Sequence, residues 1–83
     1  MPQKGEGSRS AVTHDKARAL LGAFKLAIEA ERQAQAMYSG LKEMSDSELL
    51  RQLFDRFYQD EVRHEHELVS RYNELRQESG MED

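Results

Sequence analysis

The chain has 83 residues, of which 37% are hydrophobic and 34% charged, with a net charge of −4 and no cysteine. That length allows one domain, and a core so small rarely supplies more than about 3–5 kcal/mol unless a disulfide, a metal or a partner subunit staples it. The missing cysteines exclude disulfides, a zinc ribbon and a thiol nucleophile; the acidic balance argues against nucleic acid as a partner; and no run of 18 apolar residues is present to enter a membrane.

Residues 1–12 form the first segment. The opening MPQKGEGSRS holds two glycines, two serines and the only proline, and reads as a disordered arm. It lacks the apolar centre of a signal peptide, so a cytoplasmic location is expected. A helical hairpin is expected over residues 13–79. From about Thr13 to about Met44 the good helix formers dominate, interrupted by Gly22 and Gly40 alone. Ser45-Asp46-Ser47-Glu48 breaks the run. Ser45 with Glu48 three residues on has the spacing of a capping box. A second helix is predicted from about Ser47 to about Glu78, and residues 80–83 are a short acidic tail. No alternating β-branched run appears. The fold class is therefore all-α: two helices joined by a loop so short that they lie antiparallel.

Each helix carries a seam. In the first, Ala17, Leu20, Phe24, Ala27, Glu31, Ala34, Tyr38 and Leu41 follow one another at alternating steps of three and four. In the second, Leu50, Phe54, Phe57, Glu61, His64, Leu68, Arg71 and Leu75 do the same. Glu31 interrupts the first seam, and Glu61 and His64 the second. In a closed hairpin Glu31 and Glu61 lie about 22 Å from the turn, at one height, with His64 one turn beyond. Ionised carboxylates buried without a partner cost several kcal/mol. Arg71, nearly two turns past His64, is badly placed to neutralise them. A di- or trivalent cation is better suited, and carboxylate oxygen with imidazole nitrogen favours iron or manganese.

One hairpin supplies half of a dinuclear carboxylate site, which needs a Glu from each of two helices and a Glu-x-x-His from each of the other two. A two-fold dimer would complete the set and form a four-helix bundle. It would also cover the flanking rows, Ala23, Leu26, Ala30, Met37 and Met44 on the first helix and Tyr58, Val62, Val69 and Tyr72 on the second.

At these residues the chain resembles the rubrerythrin and ferritin-like family. Glu31-Arg32-Gln33-Ala34-Gln35-Ala36-Met37-Tyr38 is similar to its first ligand helix, a Glu followed seven residues later by a tyrosine. Asp60-Glu61-Val62-Arg63-His64-Glu65-His66 is similar to its second. The resemblance covers roughly Leu20 to Tyr72. The single hairpin is similar to the encapsulated ferritins, whose dimers build a di-iron site at their interface and assemble into rings inside an encapsulin nanocompartment.

The resemblance implies a ferroxidase serving iron storage or detoxification, with one iron per chain, manganese or zinc as substitutes and calcium at peripheral sites. It implies Glu31, Glu61 and His64 as metal ligands and Tyr38 as a partner to the site. Met37 departs from the family, which carries a bulky aromatic there. The shell-docking tail of such cargo is not evident in Glu78-Ser79-Gly80-Met81-Glu82-Asp83. Two alternatives stand beside this reading: a rubrerythrin-like peroxide reductase with an external electron donor, and a non-enzymatic helical scaffold whose polar seam residues only fix register.

The remaining polar residues read as surface. Glu65 shares the flanking row of Val62 and Val69, which fits a plain polar flank, a second interface or a peripheral ion. His66 points roughly 200° away from His64. His14 sits in the first turn, and Glu29 and Arg32 read as solvated. Tyr38 fits a core tyrosine as well as a site partner, and Met37 and Met44 read as packing residues.

Overall fold

The computed structural model describes residues 13–80. The arm expected at 1–12 and the last three residues of the tail lie outside them. Helix α1 spans His14–Met44 and helix α2 spans Glu48–Ser79; they pack against each other, and no strand occurs among the described residues. Their cross-contacts run antiparallel. Lys42 meets Asp55 near the linker, and Arg32 meets Glu65 further along, so a step back on α1 is a step forward on α2. No helix among the described residues is long and apolar enough to cross a membrane.

Local chemistry sets the helix ends. Thr13 caps α1, its hydroxyl accepting from the Lys16 N–H at 3.2 Å. The three-residue linker corrects one expectation. Ser45 does not start α2; its backbone N–H donates to the Lys42 carbonyl at 3.2 Å and its hydroxyl to the Leu41 carbonyl at 2.8 Å. It thus closes α1. Ser47 caps α2, accepting from the Leu50 N–H at 3.3 Å. Glu48 is then the first helical residue, and it pairs with Arg51 at 2.9 Å instead of reaching back. The same Arg51 donates to the Ser45 carbonyl at 2.8 Å and ties the linker to α2. At the far end Gly80 takes φ 70°, which glycine adopts without strain, and donates to the Arg76 and Gln77 carbonyls.

The packing face of α1 is rotated from the expected seam. Ala17, Leu21 and Ile28 are its buried residues, whereas Leu20 is exposed. α2 has no buried residue at all. Burying a Leu or Ile side chain contributes roughly 1.5–3 kcal/mol, so two such groups make a thin core. The flank of α1 stays open: Ala23 and Ala30 are exposed, as are Leu26 (75%), Met37 and Met44 (79%). Met37 and Met44 therefore pack against nothing substantial within one chain. Leu49 (77%) and Leu50 add to this apolar surface at the start of α2.

Candidate metal centre

Glu31 and Glu61 each lie 15 residues from Asp46, the middle of the linker. Equal rise along two antiparallel helices brings them to one level, and His64 follows Glu61 by three residues on the same face of α2. The structure brings all three together. One ligand atom from each lies within 4.8 Å of the others. His64 Nδ1 is 3.3 Å from Glu61 Oε1 and 3.7 Å from Glu31 Oε1. The two carboxylates are mostly covered, at 23% and 20% side-chain exposure, while His64 is half exposed. The imidazole thus sits at the rim of the interface and not in its centre, because α2 turns its other flank toward α1.

No Arg or Lys pairs with Glu31 or Glu61 among the described residues. The Glu31 carboxyl is pushed above its ordinary value of 4.5, first because it hydrogen-bonds to Glu61, then because it loses water and feels the Glu61 charge. His64 works against this shift by offering positive charge and a hydrogen bond. Two carboxylates with an imidazole alongside could hold a cation. The oxygen and nitrogen donors fit iron, manganese or zinc.

Tyr38 lies seven residues, two turns, from Glu31 on the linker side. Its ring packs against Phe57 at 5.3 Å and against Phe54 at 6.5 Å between centroids. Phe57 is one turn from Glu61, so this aromatic group forms an apolar floor between the centre and the linker. His14 and His66 are exposed and lie apart from the group.

A second polar station near the same level was not foreseen from the sequence. The Glu65 carboxylate takes the Arg32 Nε–H at 2.7 Å on Oε2 and the Gln35 side-chain amide at 2.6 Å on Oε1. Glu65 is therefore no plain flank, and Arg32 is not simply solvated: its guanidinium spans the two helices. The Gln35 amide and then the Arg32 guanidinium hold the Glu65 carboxyl below the ordinary range. A usable signal was present. Arg32 and Gln35 follow Glu31 by one and four residues, and Glu65 follows Glu61 by four, so each lies within about one turn of the centre.

At about 100° per residue, the two stations fall on different flanks of the hairpin. Glu31, Glu61 and His64 lie toward one flank and Arg32 and Glu65 toward the other; the exposed Leu26, Ala30 and Met37 are roughly 100–140° round α1 from Glu31, on its outward face. Comparison with protein-family models, with curated proteins and with solved structures finds no match to this chain.

Proposed function

We propose that two copies of this hairpin join through the exposed apolar side, form a ferritin-like four-helix bundle, and oxidise Fe(II) to Fe(III) at a dinuclear site shared between them. The observation that carries this reading is the convergence of Glu31, Glu61 and His64 within 4.8 Å. Support for the second copy comes from the thin core and from Leu26, Met37, Met44 and Leu49 on the surface. Patches of this kind mark association surfaces.

Two copies offer four carboxylates and two imidazoles, enough for one metal per chain. Two bound Fe(II) ions supply two electrons, which reduce dioxygen to the level of peroxide, or peroxide to water. The protein's own residues do the rest. Glu31 and Glu61 neutralise the incoming charge, and each binds it as the ionised carboxylate. His64 presents a neutral nitrogen, so binding weakens as pH falls. Tyr38, Phe54 and Phe57 keep water from the linker side. Ring-like higher assembly, enclosure in an encapsulin shell and cytoplasmic residence belong to this proposal as its biological setting.

Anaerobic titration with Fe(II), followed by air, tests it. One iron per chain at saturation and a rise in ferric absorption are expected; no uptake of iron would sink the reading. The scaffold alternative draws on the same exposed apolar surface. It predicts that a chelator leaves the mass in solution unchanged. The metal reading predicts that chelation loosens the dimer, because a ligand held only by the assembled form stabilises it.

A further inference from the structure

Little at the level of the metal centre fixes how α2 sits against α1. Ile28 is buried and Val62, Leu68 and Val69 are half-buried there, and apolar attraction is non-directional. It resists separation of the helices but tolerates a small slide or roll. Glu31 and Glu61 carry like charge and cannot hold the register themselves. Glu65 can. It stands on α2 and is gripped at both oxygens by two donors from α1, Arg32 at 2.7 Å and Gln35 at 2.6 Å, with its side chain only 21% exposed. Each member of this contact neighbours a ligand in sequence. Arg32 and Gln35 are one and four residues after Glu31, and Glu65 is one after His64 and four after Glu61. With both oxygens engaged, Glu65 is also withheld from the centre as a further carboxylate.

We propose that Glu65, clamped by Arg32 and Gln35, is a positioning residue that sets the register and roll of α2 on α1, so that Glu61 and His64 meet Glu31. This inference rests on the metal reading above. Its force lies in the tolerances. A slide by one residue moves a ligand about 1.5 Å, whereas metal–ligand distances hold to about 0.2 Å. A contact made of two directional hydrogen bonds narrows the first toward the second.

The test is a titration of the full chain with Co(II) alone, read by its visible ligand-field bands and by affinity. The double variant Gln35→Met with Arg32→Lys loosens the clamp without changing net charge, so a simple Coulomb effect on cation binding is removed. The control is Lys42→Gln with Asp55→Asn, also neutral overall, which deletes the other interhelix ion pair, at 2.8 Å near the linker. Both double variants should melt earlier than the parent. The clamp variant should bind Co(II) about tenfold more weakly with altered bands, and the control should keep the parental affinity and bands.

Parental affinity and bands in the clamp variant would overturn the proposal. So would tighter binding there, which would make the freed Glu65 a competing ligand, or an equal loss in the control, which would mean general loosening. If the clamp variant does not fold, Gln35→Met alone, neutral and similar in size, should still weaken binding about threefold; an unchanged affinity there overturns the proposal equally. Failure of the parent itself to bind Co(II) would remove the metal reading first and leave Glu65 with nothing to position.

Discussion

Near the mid-height of the hairpin, two polar groups on neighbouring flanks solve the same problem of a covered carboxylate differently. Glu65 is compensated within the chain: a guanidinium and an amide take its oxygens, and its carboxyl stays ionised to lower pH than usual. Glu31 and Glu61 have the His64 imidazole beside them, and Glu31 holds its proton to higher pH than usual. The first cluster closes its side of the molecule. The second keeps a half-exposed imidazole at its rim. The contrast teaches that the acidity at the interface is not generic. The chain meets a carboxylate with a guanidinium and an amide on one flank and with an imidazole alone on the other.

The strongest way to break the comparison is to delete a member of the open cluster. Glu31→Ala or His64→Ala should reduce iron uptake and ferric formation by about 100-fold, read by anaerobic titration and then air. Wild-type uptake in either variant would reduce the cluster to a surface feature. A charge placed on the exposed apolar face comes next. Leu26→Glu should weaken dimerisation at least about tenfold, about 1.4 kcal/mol, in sedimentation equilibrium, and leave the helix content of the hairpin intact.

Metal-free stability against pH separates the clusters by sign. Glu31 has a raised folded pKa, so its contribution is present below the ordinary value of 4.5 and is lost as pH rises through the folded value. Glu65 has a depressed folded pKa, so its contribution is present above the ordinary value and is lost as pH falls through the folded one. In urea denaturation, Glu31→Gln should therefore gain stability relative to the parent as pH rises from 4.5, and Glu65→Gln should gain it as pH falls below 4.5. Equal profiles for the two variants would erase the distinction. The smallest effect expected is at the linker. Ser47→Ala should cost about 1 kcal/mol as the loss of a cap, and Ser45→Ala less, because its hydroxyl donates to a carbonyl already in the last turn of α1.

Much of this hairpin was legible residue by residue. Thr13, the break at residues 45–47 and Gly80 punctuate the chain where the helices begin and end, because caps and glycines act locally. Glu31, Glu61 and His64 stood out as polar interruptions of apolar stripes, and equal distance from the turn put them at one level. The choice between Ser45 and Ser47 as the cap was not legible. Both serines precede a possible first turn, and the Ser45 bond to Leu41 on the preceding helix decides against it. The choice between Leu20 and Leu21 was not legible either. Ala17, Leu20, Leu21, Phe24, Ala27 and Ile28 form two overlapping stripes, and helical periodicity accepts both.

By itself, then, the order of residues determined two long helices, a short reversal between them and the identity of the acidic and imidazole groups at its mid-height. Local hydrogen bonding and a period of 3.6 residues are enough for that. Only the tertiary structure decided the roll of α1 that buries Leu21 and Ile28, the half-exposed seat of His64, and the grip of Arg32 and Gln35 on Glu65. The roll of one helix on another comes from the facing side chains of both at once, and no stretch of either helix read alone contains it.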